Sequence, residues 1–450
     1  MSTLAGDTDP TTPSQAMPTA ATIAFFPEGA YGPTNNCVAI GDALRARGHR
    51  VVFIIERSFA GALAARGFEE RLVALAPPPD QPEVAGQFWT DYIRETARVF
   101  RRPTIEQLSG FIQPTYQALV DGARYVDDQL RDVIDELAPD VIVEDNVVSF
   151  PALLSCGRPW VRIVSCNPAE LPDRAVPPAY SGYPTADRAE WDGFREQFRN
   201  THAELHRSFS EYCVSRGAPP LPELQFTHES PWLNLTLYPE EVDYGRERPL
   251  GPLWHNLEAC VRRSDAAWSV PDRLAAREGA LLYLSLGSLG SADVGLMQRL
   301  IDTLATTPHR VVVSMGPEHA GLRLADNMAG AEFLPQPSVL PLMDAVITHG
   351  GNNTVTECLH AGLPMVLLPL FWDQHDNAQR IDETGYGVRL PTYSHDPRQL
   401  TDALDGVLAD NDLNQRLQAI SRRLQASPGD ERAAALIERL ATERTPVLRT

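Results

Sequence analysis

The sequence predicts an α/β protein made of two doubly wound parallel-sheet domains. Strand-like apolar runs alternate with amphipathic helical segments in each half of the chain, and a proline- and glycine-rich passage separates the halves. Such alternation is typical of parallel sheets covered by helices. The length of 450 residues also exceeds what a single core usually accommodates.

The first half begins with a βαβ unit. The apolar run TIAFFPE predicts a buried strand, and the helix after it carries Val38, Ile40, Ala43 and Leu44 at helical spacing. HRVVFII predicts the next strand. The amphipathic segment YVDDQLRDVIDEL is then stopped by Pro139, and the runs DVIVED and WVRIVSC repeat the alternation.

The second half restarts this pattern after the passage GRERPLGPLWHN. Strand LLYLSLG, helix GLMQRLIDTLA and strand RVVVSMG follow one another, before a last apolar strand ends at Thr348. Residues 1–21, rich in Thr, Pro and Ala, predict a disordered tail. We expect a first domain at 22–250, a linker at 251–277 and a second domain at 278–450, whose C-terminal helix could pack back on the first domain.

Composition narrows the partners and the compartment. The formal net charge of -20 opposes binding to nucleic acid or to an anionic membrane. The six cysteines form no C-x-x-C pair, and the N-terminus lacks the order of a signal peptide. No apolar run approaches the roughly 18 residues of a spanning helix. We therefore expect a soluble cytoplasmic protein with small-molecule partners; the sequence does not predict its oligomeric state.

The segment VITHGGNNTVTECLHAGLP has the pattern of an anion-binding turn between a strand and a helix. Gly350 and Gly351 allow a ligand to approach the backbone closely. Free N–H groups at the helix start attract anions, and His349, Asn353 and Thr354 add side-chain donors there.

Glu357 lies one helical turn beyond Asn353 and Thr354, on the same helix face. A carboxylate one turn from a phosphate site suits the two hydroxyls of a ribose, as it does in dinucleotide-binding folds. The alternative is a glycine-rich turn that binds nothing, because short glycine motifs often occur without a ligand.

From Phe333 to Gln374 the chain resembles the nucleotide-binding signature of the UDP-glycosyltransferases, the family 1 inverting enzymes of the GT-B fold. Their W-x-P-Q motif corresponds to Phe333–Gln336, their H-x-G-x-N-S-x-x-E motif to His349–Glu357, and their closing D-Q pair to Asp373–Gln374. The resemblance implies two Rossmann-like domains facing an interdomain cleft, with a UDP-sugar as co-substrate and no tightly bound cofactor. It is weaker in the N-terminal half.

The resemblance also implies how the matching residues bind the donor. Phe333 would stack on the uracil in place of the usual tryptophan, and Glu357 would bind the ribose hydroxyls. Asp373 and Gln374 would bind hydroxyls of the transferred sugar. The other expected donor-binding residues are Ser288, near the phosphates, Gln336 and Gly351, together with His349, Asn353 and Thr354, which would hold the diphosphate.

Two residues of the motif bear on packing and on donor choice. Asn352 stands where plant members of the family commonly have a tryptophan, a departure that affects the packing around this turn. Glu357 favours a donor with both ribose hydroxyls, and hence UDP over dTDP, because a deoxyribose offers the carboxylate only one.

The usual catalytic base of the resembling enzymes is missing. In those enzymes a Gly-His pair follows the first strand, and its histidine takes the acceptor proton. Counting back from LRARGH, the pair falls on Gly32-Pro33, and proline has no proton to exchange. His49, within the recurring R-G-H, is expected to be structural.

An aspartate is the expected replacement. The family often has an aspartate after a later strand, and VIVEDNVVSF has Asp145 there. Because carboxyl ends of parallel strands bind substrates, we expect Asp145 to lie at one edge with the loop after Glu28. We hypothesise that Asp145 is the base, with its pKa raised by burial, and that Glu28 is the reserve candidate. Alternatively, Asp145 only caps or orients a loop.

The acceptor would be a lipophilic or aromatic small molecule, such as a natural product. Aromatic residues crowd the long segments over the first sheet, and we expect Trp89, Tyr92, Phe111 and Tyr116 to bind the acceptor. A carboxylate base suits a phenol or an activated aromatic carbon better than an aliphatic alcohol. For any single aromatic residue, plain packing on the sheet is at least as good an interpretation.

No metal is expected. One D-x-D motif lies in the predicted tail at Asp7–Asp9, and the other, Asp410–Asp412, fits a turn that caps a helix. HAELH, at His202–His206, lacks the H-E-x-x-H order and a third ligand, so it indicates a solvated helix face. The helix N-terminus and His349 would stabilise the leaving UDP in one inverting displacement.

The leading hypothesis is therefore an inverting transfer of a hexose, with glucose as the leading candidate, from a UDP-sugar to a small-molecule hydroxyl. C-glycosylation is an alternative. A nucleotide-sugar epimerase fits the aromatic insertions poorly. A non-catalytic relative that partners a true transferase is supported by Pro33, but it gives no reason for Asp373 and Gln374 to be kept.

Overall fold

The computed structural model describes residues 20–78, 87–263 and 266–449. Residues 1–19 of the predicted tail lie outside these ranges. Within them, no helix combines the length and apolar character needed to cross a membrane.

The first sheet contains seven parallel strands in the described residues, in the order β3-β2-β1-β4-β5-β6-β7. β1 is buried on both faces from Ile23 to Pro27, as expected of a central parallel strand. The strands are β1 Thr22–Pro27, β2 Arg50–Glu56, β3 Glu69–Val73, β4 Val141–Asp145, β5 Trp160–Val164, β6 Leu233–Thr236 and β7 Trp254–Asn256.

The second sheet contains six parallel strands in the described part of the chain, in the order β10-β9-β8-β11-β12-β13. The strands are β8 Leu281–Ser285, β9 Arg310–Ser314, β10 Met328–Ala331, β11 Ala345–Thr348, β12 Met365–Leu367 and β13 Gly387–Arg389. Both sheets confirm the predicted α/β class with two doubly wound units.

The helices connect successive strands and cover the sheets. Ala138, in the left-handed conformation, ends the long helix α4 just before Pro139, where the sequence predicts the stop. The helices are α1 Tyr31–Ala46, α2 Gln87–Thr96, α3 Thr104–Gln107, α4 Gln113–Leu137, α5 Pro151–Ser155, α6 Trp191–Ser215, α7 Asp272–Ala275, α8 Gly287–Gly290, α9 Val294–Leu304, α10 Gln336–Val339, α11 Asn352–Ala361, α12 Gln374–Glu383, α13 Pro397–Ala409, α14 Asn411–Ala426 and α15 Gly429–Glu443.

The chain passes between the two units twice. β7 belongs to the first sheet, although the predicted linker begins at residue 251. After α14, the helix α15 returns to pack on α1, with Ala433, Ile437 and Leu440 in the apolar cluster of the first domain. The two connecting segments are in contact with each other. Gly429 begins α15, and a Cβ on it would lie 2.5 Å from the carbonyl oxygen of Leu257, which follows β7.

Each sheet has one point where the strand order reverses. In the first sheet this point lies between β1 and β4, and in the second it lies between β8 and β11. Open α/β sheets bind ligands in the crevice outside the carboxyl ends of such strands. The residues that follow these four strands are therefore the first place to search for a site.

Candidate functional site

The turns after β8 and β11 enclose the ring of His349. A Cβ on Gly287 would lie 2.8 Å from the imidazole, and a Cβ on Gly351 would lie 2.5 Å from its Nε2. Such distances essentially never occur for a real Cβ, so both turns need glycine to pack against the ring. Ser288 follows Gly287 at the start of α8, which puts it beside the same turn.

His349 is an uncharged hydrogen-bonding group at neutral pH. Burial lowers its pKa to about 4, and a hydrogen bond with the backbone of Ser285 opposes this only in part. The ring lies just before α11, whose first-turn N–H groups have no partner within the helix. The position combines neutral donors with the positive end of a helix dipole, an arrangement that suits a phosphate.

Glu357 is buried on α11 and takes part in a hydrogen-bonded network. Gln336 Nε2 donates to Glu357 Oε2 at 2.6 Å and also lies 3.3 Å from Thr354 Oγ1. Tyr283 donates to Gln336 Oε1 at 3.3 Å, and Arg262 reaches Glu357 Oε1 at 3.0 Å. The structure thus brings together the predicted residues Gln336, Thr354 and Glu357.

Asn352 and Asn353 join α11 to the first domain. Asn353 Nδ2 donates to the carbonyl of Gly32 at 2.8 Å, and its Oδ1 accepts from Asn36 at 2.9 Å. Asn352 Nδ2 donates to the carbonyl of Ser165 at 2.7 Å. Asn352, expected from the sequence to affect the packing around this turn, is therefore a contact between the domains.

Phe333 follows β10 and is 52% exposed. Tyr31, at the start of α1, is 40% exposed, and the two ring centroids are 6.4 Å apart. An exposed aromatic ring beside a nucleotide motif is available for stacking on a base.

Asp373 and Gln374 are buried and already hold other groups. Asp373 Oδ2 accepts from the backbone N–H of Asn167 at 2.9 Å, and Gln374 Oε1 accepts from that of Leu370 at 3.1 Å. Burial raises the pKa of Asp373 to about 6. A sugar hydroxyl bound here would share the Asp373 carboxylate with Asn167, a residue of the first domain.

In the first domain, Pro33 occupies the first turn of α1, directly after the loop that follows β1. A proline is tolerated there, because the first N–H groups of a helix have no partner within it. His49 is structural, as expected: it is buried, accepts from Ala21 N at 3.2 Å, and lies 3.2 Å from Glu438.

Asp145 ends β4 at the switch point of the first sheet and is 3% exposed. Ser165 donates to its Oδ1 at 2.8 Å, whereas Oδ2 is buried without a hydrogen-bond partner among the described residues. Burial raises the pKa of Asp145 well above its usual value; the Ser165 hydrogen bond opposes this, and the charges of nearby carboxylates, Glu28 among them, add to it. In the ionised form of the group, a carboxylate oxygen without a hydrogen-bond partner has free lone pairs to accept a proton.

Glu28 follows β1 on the other side of the switch point. Its backbone N–H donates to the carbonyl of Asp145 at 3.0 Å, which fixes the two residues side by side. The Glu28 side chain is partly exposed, yet desolvation raises its pKa to about 7, and the charge of Glu170 contributes. Both candidate bases thus lie where the sequence predicts them.

A cavity of about 1050 Å³ opens in the first domain; Asp145 and Glu28 are not among its lining residues, but Glu170, whose charge helps to raise the pKa of both, is. Glu170 lines it and is held by Arg162 at 2.8 Å. The predicted residue Tyr116 also lines it, and its hydroxyl lies 2.6 Å from that of Tyr180. The aromatic lining consists of Tyr116, Tyr180, Trp191, Phe194, Phe198 and Phe226.

Sequence comparison identifies relatives over most of the chain. Residues 260–431 match the family described as UDP-glucoronosyl and UDP-glucosyl transferase. The chain is 26% identical over 430 residues to the oleandomycin glycosyltransferase of Streptomyces antibioticus, which covers 93% of this chain and 91% of that protein. It is 25% identical to the NDP-glycosyltransferase YjiC of Bacillus subtilis (strain 168), with 91% and 94% covered.

Solved structures share the whole architecture. The glycotransferase of kitacinnamycin superposes with a TM-score of 0.67 at 23% identity, over 94% of this chain and 99% of that one. The spinosyn rhamnosyltransferase SpnG complexed with thymidine diphosphate gives a TM-score of 0.60 at 21% identity, over 93% and 99%. This chain is a GT-B glycosyltransferase.

Tyr92 and Phe111 do not line the cavity of this glycosyltransferase. Phe111 packs on Tyr92 with ring centroids 5.8 Å apart, and on Phe371 of the second domain at 5.4 Å. The Phe111 ring therefore helps to join the domains. Trp89 lies on α2, but its side chain is outside what the structure describes.

Three contributors to the site of the glycosyltransferase were missed from the sequence. Asn167 binds Asp373, Arg262 binds Glu357, and Trp372 packs on Tyr180 with ring centroids 4.7 Å apart. Trp372 has a left-handed backbone (φ 57°), unusual for so bulky a residue, just before the D-Q pair. In the sequence, the adjacent D-Q pair was the only feature that drew attention to the region of Trp372.

The expectation of a solvated face for HAELH is wrong at one of its two histidines. His202 is completely buried on α6 and stacks on Phe198 with ring centroids 3.9 Å apart. Burial lowers its pKa to about 4, so it is a neutral core residue.

Proposed function

We propose that this glycosyltransferase moves a hexose, with glucose as the leading candidate, from a UDP-sugar to a hydroxyl of an aromatic or lipophilic small molecule, with inversion at the anomeric carbon. The UDP-sugar acts as a co-substrate, and no tightly bound cofactor takes part. The observation that carries the proposal is the pairing of two switch points. The nucleotide motif follows β8 and β11, the carboxylates follow β1 and β4, and Asn353 links the two at Gly32.

The arrangement around Glu357 supports a ribonucleotide donor. Its carboxylate accepts from one side-chain donor on each oxygen, and a carboxylate has about four lone-pair positions in all. One lone-pair position on each oxygen then has no side-chain donor among the described residues. Two neighbouring ribose hydroxyls match that number, and a 2′-deoxyribose offers only one, so the proposal favours UDP over dTDP.

The proposed reaction is a single displacement. The acceptor oxygen attacks the anomeric carbon, the bond from that carbon to the diphosphate breaks, and the acceptor proton passes to Oδ2 of Asp145. The N-terminus of α11 and the neutral His349 stabilise the charge that develops on the leaving diphosphate. Glu28 is the alternative proton acceptor, because it is more exposed and its pKa of about 7 suits proton transfer near neutral pH.

The cavity supports an aromatic acceptor. Its volume of about 1050 Å³ lies just above the usual range of about 300–1,000 Å³ for small-molecule sites. Two relatives are named oleandomycin glycosyltransferase and zeaxanthin glucosyltransferase, and these names support a natural-product acceptor. A phenolic hydroxyl is the acceptor group that a carboxylate base matches best.

The test is UDP release from UDP-glucose with a panel of phenols and aliphatic alcohols, for the intact protein, Asp145→Asn and Glu28→Gln. We expect turnover with phenols, loss of turnover in Asp145→Asn, and unchanged UDP binding in that variant. Loss in Glu28→Gln alone would move the base to Glu28. UDP binding without turnover by any acceptor would support the non-catalytic alternative, and a product that resists acid hydrolysis would indicate C-glycosylation.

A further inference from the structure

We propose that Arg262 is a positioning residue for the nucleotide: its guanidinium orients the Glu357 carboxylate, so that the site prefers a ribonucleotide to its 2′-deoxy counterpart. This inference rests on the proposed donor site. Arg262 belongs to the segment that connects the two sheets, outside the motif that holds the other donor-binding residues.

The contact is a buried ion pair. Arg262 Nη1 lies 3.0 Å from Glu357 Oε1, and the two side chains are only 16% and 5% exposed. An unpaired carboxylate is costly at such a depth, so the guanidinium makes a charged Glu357 acceptable there. The planar guanidinium also presents its N–H groups in fixed directions, which restricts the plane of the carboxylate it binds.

With this ion pair, each oxygen of the Glu357 carboxylate accepts a hydrogen bond from one protein side chain. Gln336 holds Oε2 at 2.6 Å and Arg262 holds Oε1 at 3.0 Å. With both oxygens anchored, the carboxylate cannot rotate to adapt to a ligand that offers one hydroxyl. Without Arg262, only Gln336 would hold it, and the carboxylate could turn to place its strongest acceptor on a single hydroxyl. Discrimination against the deoxy sugar therefore depends on Arg262.

A neighbouring arginine provides a matched control. Arg263 lies 3.4 Å from Glu431, and its side chain is 73% exposed, so it shares the local sequence and the charge of Arg262 without reaching Glu357. Replacing either arginine by methionine removes one charge and keeps most of the aliphatic chain.

The experiment is calorimetric titration of UDP and of 2′-deoxy-UDP into the wild-type protein, Arg262→Met, Arg262→Lys and Arg263→Met. The 2′-deoxy ligand lacks one hydroxyl hydrogen bond to a charged carboxylate, so the wild type should favour UDP by about tenfold. We expect this ratio to fall to about one to threefold in Arg262→Met, to recover in part in Arg262→Lys, and to stay at the wild-type value in Arg263→Met.

The ratio of the affinities for UDP and 2′-deoxy-UDP distinguishes a positioning role of Arg262 from a merely structural one. Equal weakening of both nucleotides in Arg262→Met, with the ratio retained, would overturn the proposal. Tighter binding of both would also overturn it, because Arg262 would then only fill an empty pocket. If Arg262→Met does not fold, a wild-type ratio in Arg262→Lys decides against the proposal in the same way. A wild-type protein that binds neither nucleotide would refute the donor site itself.

Discussion

Tyr31 of the first domain and Phe333 of the second lie with ring centroids 6.4 Å apart and ring planes tilted by 40°. Both rings are substantially exposed, and Tyr31 also packs on Phe59 at 5.4 Å, which supports it from behind. An aromatic surface shared between the domains thus borders the segment proposed to bind the donor.

Phe333→Ala should weaken UDP binding by about 5- to 150-fold. A base stacked on an aromatic side chain contributes about 1–3 kcal/mol in comparable sites. Phe333→Trp should bind at least as tightly as the wild type. Calorimetric titration measures both, with Leu342→Ala, at another exposed apolar residue, as the control. Wild-type affinity in Phe333→Ala would contradict stacking on this ring.

Gly351→Ala should impair UDP binding at least tenfold while the protein remains folded, since the added Cβ would lie 2.5 Å from His349 Nε2 and displace the ring. Gly406→Ala is the matched control, because nothing lies within 4 Å of a Cβ there. Within helix α13 that change should instead stabilise the fold by up to about 1 kcal/mol. Titration and thermal unfolding measure the two effects; equal behaviour of both variants would argue against the packing of His349.

The kcat/KM for a phenolic acceptor should rise with pH through the neutral range. A base must be deprotonated to act, and desolvation raises the pKa of both Asp145 and Glu28, that of Glu28 to about 7. If Asp145 is the base, Glu28→Gln should shift the rise to lower pH, because the Glu28 charge is one cause of the raised Asp145 pKa. A pH profile of the wild type and this variant checks the shift, and an unmoved profile would show that the two carboxyls are not coupled.

Asn352→Ala should favour an open arrangement of the domains. It removes the hydrogen bonds of Asn352 to the carbonyls of Ser165 and Leu237, each with a net contribution of about 1 kcal/mol. We expect a larger radius of gyration in solution scattering and a several-fold lower kcat/KM, with little change in UDP affinity. Asn411→Ala, at the exposed start of α14, should have no such effect. The same radius in Asn352→Ala and the wild type would mean that other contacts keep the domains closed.

Glu144→Gln should change how stability depends on pH. Glu144 is buried, and desolvation raises its pKa from 4.5 to about 8 against the charge of Arg162. The folded protein therefore keeps a proton that the unfolded chain releases, so the free energy of unfolding falls as pH rises from about 4.5 to about 8. Glutamine cannot ionise. Relative to the variant, the wild type should lose melting temperature across this window; parallel melting curves would contradict the raised pKa.

The sequence predicted the backbone of the site well because the site follows strand ends. Apolar runs locate β1, β4 and β11, and the residues just after them, Glu28, Asp145 and His349, are fixed by parallel-sheet geometry. The glycines after β11 were also predictable from the sequence, because glycine often occurs where the backbone approaches a ring or a ligand closely.

Contacts between residues far apart in the chain were not predictable in this way. Asn167, Arg262 and Asn352 act through partners that are 206, 95 and 187 residues away in the chain. No local pattern distinguishes such a residue from an ordinary surface polar residue. Likewise, the aromatic pattern could not tell Tyr116, on the cavity wall, from Phe111, which packs between the domains.

Because α15 returns to the first domain, one backbone cut in the connecting segment would not separate the two domains. A single cut between Leu257 and Ala280 would leave the second fragment carrying α15, whose apolar face stays packed against α1. The backbone N–H of Val447 also donates to the carbonyl of Trp232, and that of Arg449 to the carbonyl of Pro252. The nicked protein would therefore elute as a single peak in gel filtration. It would separate into two bands only in denaturing gel electrophoresis.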